Sequence, residues 1–249
     1  MNLSRAVLNT LLVATVTALT VPALAAPVTI TVDPTKIGAP QSAFQATIAD
    51  FSYAATVNQT GPVGCVPGCP FTEIDHASFS NFKGPDFTTP VINSGLNQTP
   101  GYTLTADYTA HGVAVPEGSG IHATFDTFDL TLTAHPSGGG NILVAQSTGL
   151  VSGEAHVFGP QLARGDFHVI LNMNPVGQFF SGPFVFGLNT ADFAGNNTNV
   201  TGITLGPSNG AIQGSGNLSF NTVPEPASLC LLGAGMLGLG WWRHYRSQR

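Results

Sequence analysis

Histidine side chains are the residues of this chain best suited to acid–base chemistry, and they do not form a recognisable catalytic pattern. Seven are present, and none stands at the spacing of a known zinc motif. The one Gly-x-Ser-x-Gly pattern, residues 206–210, lies in a Gly- and Pro-rich break between predicted strands and is not interpreted as a nucleophile elbow. His122 and Asp126 lie four residues apart, and His156 and His168 flank a predicted hairpin at Gly159-Pro160. Neither pair completes a catalytic set, so the sequence predicts no catalytic residue, no metal site and no cofactor.

Acidic residues keep two alternatives open. Glycoside hydrolysis needs two carboxyl groups about 5–10 Å apart in a cleft, which would make the protein an exported polysaccharide hydrolase. Asp126 and Asp129 are also candidate Ca²⁺ ligands, which would make it a calcium-dependent adhesin module. The candidate acids for the hydrolase are Asp126, Asp129, Glu154 and Asp166.

Cysteines suggest one covalent crosslink. Cys65 and Cys69 enclose Val66-Pro67-Gly68, a segment that bends sharply, and in an oxidising compartment they are a candidate disulfide. Glu73, Asp75 and His76 follow closely, so a metal site is the alternative. Cys230 lies in an apolar run, where we interpret it as a small apolar filler.

Alternation of apolar and polar residues predicts the elements that must position these side chains. It has period two over 28–33, 102–111, 128–133 and 166–173, which is typical of strands with one face in a core. Segments rich in Gly and Pro interrupt the runs at 116–120, 136–140 and 206–210. The phase slips once within Phe125–Phe128, which predicts a bulge or a strand boundary. We therefore expect an all-β fold, a single antiparallel β-sandwich or a barrel-like domain, with the sandwich favoured.

The N-terminal segment predicts export. Arg5 supplies a thin positive region, an apolar stretch follows from Ala6 to Val21, and Ala23-Leu24-Ala25 is an A-x-A site. Cleavage is predicted between Ala25 and Ala26. Residues 1–25 are thus interpreted as a signal peptide, and residues 26–222 as one extracytoplasmic β-rich domain.

The C-terminal tail has three parts in order. Val223-Pro224-Glu225-Pro226 forms a short extended strip, because its prolines cannot donate backbone hydrogen bonds. Residues 227–242 carry no charge and would span roughly 24 Å as a helix, so one C-terminal transmembrane helix is predicted there. The basic end, residues 243–249, contributes Arg243, Arg246 and Arg249, which favour the cytoplasmic side and act as a stop-transfer signal.

These three parts resemble the PEP-CTERM sorting signal of Gram-negative bacteria. The motif residues correspond to Pro224, Glu225 and Pro226, preceded by Val223. The resemblance implies that exosortase, a membrane-embedded transpeptidase-like enzyme, processes the chain near the motif. It also implies passage through the inner membrane, transient anchoring there, and then a place at the cell surface or in the extracellular matrix, in association with exopolysaccharide.

Charge limits the partners of the domain itself. Residues 26–222 contain twelve acidic residues and only three fixed cations, which gives them a net charge of −9. The cations are Lys36, Lys83 and Arg164. Such a surface argues against nucleic acid and anionic lipid as partners.

The segments 125–132, 150–154 and 165–167 faintly resemble flocculation-associated PEP-CTERM proteins. We expect a structural or adhesive, non-enzymatic protein of an exopolysaccharide biofilm or floc. A passive coat protein without a specific ligand is the alternative.

Overall fold

The computed structural model describes residues 28–60, 68–159, 162–173, 179–182, 189–204 and 206–222. These residues belong to one compact unit, Ala26–Thr222. The described residues form eleven strands and one short 3-10 helix, Pro34–Ile37. The strands are β1 (Ile30–Val32), β2 (Phe44–Ala46), β3 (Ile48–Gln59), β4 (Cys69–Lys83), β5 (Tyr102–Glu117), β6 (Gly120–Pro136), β7 (Ile142–Gly159), β8 (Leu162–Met173), β9 (Phe180–Ser181), β10 (Asn189–Thr201) and β11 (Ser208–Thr222).

Eight of these strands form a closed antiparallel barrel in the order β10-β11-β3-β4-β5-β6-β7-β8. Closure depends on the pairing of β11 with β3, which runs from Ser208 opposite Gln59 to Ser219 opposite Ile48. A closed sheet leaves no edge strand unpaired. The all-β prediction is confirmed. The architecture is the barrel-like alternative rather than the favoured sandwich, because the sheet closes on itself instead of dividing into two packed layers.

Inward and outward residues alternate along the long strands as the sequence predicted. On β6, Phe128, Leu130 and Leu132 are buried, whereas the residues between them are exposed. The predicted phase slip on β6 is confirmed as a β-bulge. His111 of β5 lies opposite Thr127, whereas the next residue, Gly112, lies opposite Phe125, so β6 has one extra residue at this point. A side chain in place of Gly112 would collide with the carbonyl oxygen of Thr124, so the strands can approach closely only with glycine there.

Glycine also forms the predicted turns. Gly118 has a φ of 58° in the hairpin between β5 and β6, and Gly139 has a φ of 94° between β6 and β7. Both values lie in the left-handed region, which costs glycine little because it has no Cβ.

A second, three-stranded sheet in the order β2-β1-β9 packs at one end of the barrel. Phe44 of β2 and Phe179, the residue before β9, contact aromatic rings of the barrel edge to face. The ring centroids are 5.3 Å apart for Phe44 and Phe82, and 5.6 Å apart for Phe179 and Tyr102. The amide of Val28 also donates to the carbonyl of Phe220, at 2.8 Å. This small sheet buries the apolar residues at that end of the barrel.

Among the described residues, no helix is long and apolar enough to cross a membrane. The predicted transmembrane helix, the basic end, the sorting motif and the signal cleavage site all lie outside the described residues. Cys65 lies outside them as well, so the Cys65–Cys69 disulfide stays a prediction, and Cys69 itself is buried at the start of β4.

Candidate functional site

A shallow polar groove lies on the outer wall of the barrel, across β4, β5, β6 and β7. Its volume is about 450 Å³. We call it the outer polar groove, and it is lined by Ile74, Asp107, Thr109, Asp129, Thr131 and Gln146. Strand register places these residues in two rows perpendicular to the strands. One row is Ile74, Thr109 and Asp129, and the other is Asp107, Thr131 and Gln146.

The groove exists because the ladder between β6 and β7 opens at this point. Pairing stops at Thr124 opposite Glu154 and resumes at Thr131 opposite Gln146. In the gap the Ser147 hydroxyl replaces ladder hydrogen bonds. It accepts from the amide of Leu130 at 2.8 Å and donates to the carbonyl of Phe128 at 3.0 Å. One side chain thus forms hydrogen bonds to two backbone groups of β6.

Acceptor groups dominate the groove. Asp107 is 58% exposed and lies 2.6 Å from Nδ1 of His76, so one of its oxygens is already engaged. Asp129 is exposed, and Ile74 adds an apolar surface that is 52% exposed. Carboxylates accept hydrogen bonds, and threonine hydroxyls both donate and accept. The groove therefore suits a ligand with several hydroxyl groups and one apolar face.

Two further acids point into the barrel instead. Glu73 and Asp75 on β4 are 7% and 4% exposed, and they border an internal cavity of about 40 Å³ together with Phe51, Phe128 and Phe167. The Tyr108 hydroxyl donates to Glu73 Oε1 at 2.7 Å. Neither oxygen of Asp75 has a hydrogen bond of regular geometry. A cavity of this size holds little more than water, so a sugar ring does not fit.

Burial sets the protonation of this pair. It raises the pKa of Glu73 to about 7, against the Tyr108 hydrogen bond, which lowers it. Burial likewise raises the pKa of Asp75 to about 6, although nearby donors, the Tyr108 hydroxyl first among them, favour the charged form. The reason is that a carboxylate loses most of its hydration inside the barrel. The tyrosines facing the pair, Tyr53 and Tyr108, have pKa values raised above their usual range, chiefly by burial.

The four acids proposed for hydrolysis do not meet in a cleft. Asp126 and Asp129 are exposed on β6, and Glu154 lies opposite Asp166 across β7 and β8 on the outer wall. Asp166 is engaged by Arg164, whose Nε donates to Oδ2 at 2.9 Å.

The alternative metal ligands near Cys69 lie on opposite faces of β4, because Glu73 and Asp75 face inward and His76 faces outward. The sequence predicted neither the inward-facing pair Glu73 and Asp75 nor the outer polar groove, because neither has a sequence motif.

Several histidines whose side chains are described lie on the outer wall of the barrel. His111 is exposed, and its Nδ1 lies 3.0 Å from the Thr72 hydroxyl. His156 lies in the predicted hairpin of β7 and β8, opposite Arg164. His122 contacts His156, on the neighbouring strand, rather than completing a site with Asp126.

Comparison with known proteins identifies the tail. The model of the PEP-CTERM protein-sorting motif matches residues 222–243. This range contains the motif Val223–Pro226 and the apolar run 227–242, which confirms the resemblance found in the sequence. Neither the curated proteins nor the solved structures give a match to the chain.

The chain therefore carries a PEP-CTERM sorting domain. Such a C-terminal signal directs export toward the cell surface, and it implies exosortase as the processing partner. The described residues end with β11 at Thr222, and in the sequence the motif follows directly at Val223.

Proposed function

We propose that the protein is an exosortase-processed surface or matrix protein whose barrel adheres to exopolysaccharide through the outer polar groove. The groove is the observation that carries this proposal. Its two rows of carboxylate, hydroxyl and amide groups offer acceptors and donors to sugar hydroxyls, and Ile74 offers an apolar contact to a ring face. In this proposal the barrel has a structural or adhesive role rather than an enzymatic one.

Charge indicates the class of sugar. The net charge of −9 over residues 26–222 would repel a polysaccharide rich in uronic acid or sulfate groups. Asp107 and Asp129 add local negative charge in the groove. We therefore expect an uncharged polysaccharide, held weakly by each molecule and firmly by many copies along one polymer.

Sorting is tested in cells with and without exosortase. We expect wild-type cells to release a form truncated near Pro224–Pro226, and cells without exosortase to keep a full-length membrane-bound form. The measurement is the intact mass and the cellular location of the mature protein. An identical, uncut, membrane-bound tail in both strains would contradict processing by exosortase.

Adhesion is tested with the purified full-length protein and a neutral exopolysaccharide in a co-sedimentation assay. The double variant Asp107→Asn with Asp129→Asn keeps the shape of the groove and removes both carboxylates. We expect it to reduce the bound fraction several-fold. The matched control is Asp126→Asn, which removes an exposed acid of the same strand, β6, that does not line the groove. Equal binding by the double variant and the wild type would exclude the groove as the contact surface.

A further inference from the structure

Two histidines face each other on the outer wall of the barrel, outside the outer polar groove. His122 on β6 lies directly opposite His156 on β7. Their rings stack with centroids 4.4 Å apart and planes 5° from parallel. Glu154 lies two residues before His156, so its side chain is on the same face of the strand. We call these three residues the His122–His156 site.

The donor atoms of this site are close together. One ligand atom from each of His122, Glu154 and His156 lies within 4.8 Å of the other two. In a tetrahedral zinc site with bonds of about 2.0–2.1 Å, neighbouring ligand atoms are roughly 3.4 Å apart. The gap is small enough to be closed by side-chain rotation. Parallel rings do not share an in-plane point, so one imidazole must turn about its χ2 angle to hold the same ion.

Glu117 on β5 fixes the orientation of one ring. Its Oε2 lies 2.8 Å from Nδ1 of His156. A carboxylate can only accept, so Nδ1 carries the proton and the lone pair of a neutral His156 lies on Nε2. A carboxylate behind a ligating histidine is the arrangement that commonly orients metal-binding imidazoles in proteins.

An unsatisfied nitrogen points to a ligand independently of this proximity. Nε2 of His122 is shielded from solvent and has no hydrogen-bond partner, and Oε2 of Glu154 lies 3.7 Å away. Buried polar atoms without a partner are rare in folded proteins, and a bound ion can supply the missing partner. The cation on the adjacent strand, Arg164, is engaged by Asp166 and leaves the carboxylate of Glu154 available.

We infer that His122, His156 and Glu154 bind one divalent transition-metal ion, with Glu117 as the residue that positions His156. Two imidazoles and a carboxylate are ligands suited to Zn²⁺ and its neighbours Ni²⁺ and Cu²⁺ rather than to Ca²⁺. Three protein ligands leave a fourth position for water or for a group of a partner. An ion bound across β6 and β7 would also clamp together two strands whose ladder opens further along.

Zinc titration of the full-length protein tests the site. We expect about one equivalent of Zn²⁺ to remain bound after dialysis, measured by elemental analysis, and the unfolding temperature to rise with added Zn²⁺. His122→Ala and His156→Ala should each abolish both effects. The matched controls are His111→Ala and His135→Ala, which remove histidines elsewhere on the barrel and should leave the stoichiometry unchanged.

Glu117→Gln separates a positioning role from a ligand role. It keeps a hydrogen-bond acceptor but removes the charge, and we expect zinc affinity to fall roughly 10- to 100-fold with the stoichiometry unchanged. Circular dichroism of each variant without metal shows whether its fold is intact. The inference is overturned if the wild type retains no zinc, or if a folded His122→Ala with His156→Ala double variant binds zinc as the wild type does.

Discussion

The inner and outer walls of the barrel hold the same type of side chain under opposite conditions. Glu73 and Asp75 face inward from β4 and are buried beside aromatic rings, and burial raises the pKa of both. Asp107 and Asp129 face outward in the outer polar groove, in contact with solvent. The difference arises because successive side chains of a strand point to opposite faces. A shift of one residue thus decides whether a carboxyl group faces the core or the solvent.

Truncation of an inner aromatic residue should have the largest effect. Phe128 is 3% exposed, with its ring centroid 4.7 Å from that of Tyr108 and 4.6 Å from that of Phe167. Phe128→Ala should lower the free energy of unfolding by about 3–5 kcal/mol, because it removes buried contacts and leaves a cavity. Urea unfolding measures this change. The outer-wall control, Ile74→Ala, should cost less than about 1 kcal/mol, and equal losses would contradict the assignment of the two faces.

The inner acids should make stability depend on pH in an unusual direction. Their pKa values are raised in the folded state, so the folded barrel binds more protons than the unfolded chain between about pH 4 and pH 7. Their favourable contribution is complete at the acidic end of this range and is lost as the pH rises through the folded pKa values. We expect the loss to be on the order of a few kcal/mol by pH 8.

Neutral isosteres isolate this effect. The double variant Glu73→Gln with Asp75→Asn should flatten the decline in the free energy of unfolding between pH 5 and pH 8. His76 and Tyr53 lie near the pair and stay in place, so the difference between variant and wild type reports the two acids. The outer pair Asp107→Asn with Asp129→Asn is the control. If both double variants keep the wild-type slope, the buried carboxyls are not the source of the pH dependence.

Removal of the Ser147 hydroxyl should lower the free energy of unfolding by an intermediate amount. Ser147 lies where the hydrogen-bond ladder between β6 and β7 is interrupted. Ser147→Ala removes the hydrogen bonds from its hydroxyl to the amide of Leu130 and the carbonyl of Phe128, which should cost about 1–3 kcal/mol. Thermal and urea unfolding provide the measurement. Ser80→Ala removes a longer, exposed bond to the carbonyl of Asp50, 3.3 Å in length, and should change stability by less than about 0.5 kcal/mol. Similar losses of unfolding free energy in the two variants would show that the hydrogen bonds of Ser147 do not stabilise the interrupted ladder between β6 and β7.

The smallest effect is expected for the ion pair of the outer wall. Lys83 Nζ donates to Asp50 Oδ1 at 2.9 Å, with about a quarter of each side chain exposed. Asp50→Asn should cost up to about 1 kcal/mol, and the cost should fall with added salt because the pair is screened. Urea unfolding at low and high salt tests this. A cost that is large and insensitive to salt would mean that the pair is more deeply desolvated than its exposure indicates.

Local patterns predicted much of the fold. The alternation on β5 and β6, the glycine turns at Gly118 and Gly139, and the bulge within Phe125–Phe128 are all confirmed. The strand β4 was not predicted, because Glu73 and Asp75 occupy core positions and interrupt its apolar pattern. Acids at such positions are rare, since burial of a carboxyl group is costly.

Sites that depend on the register between strands could not be predicted from the sequence. The outer polar groove needs the side-by-side order of β4 to β7, and the His122–His156 site needs the pairing of residues 34 positions apart. Proximity in the chain groups His122 with Asp126 instead. Cross-strand neighbours are selected by turn length and by bulges, which the order of residues does not encode directly.

By itself, the sequence determined the sorting tail, because the PEP-CTERM motif is a contiguous signal whose order can be read directly. It also determined the all-β class, because alternation of period two is a local property of each strand. Only the tertiary structure decided that the sheet closes by pairing β11 with β3, which of the acids face inward, and which histidines meet. These features depend on contacts between residues distant in the chain, where the balance of packing, burial and backbone pairing over the whole sheet selects one arrangement.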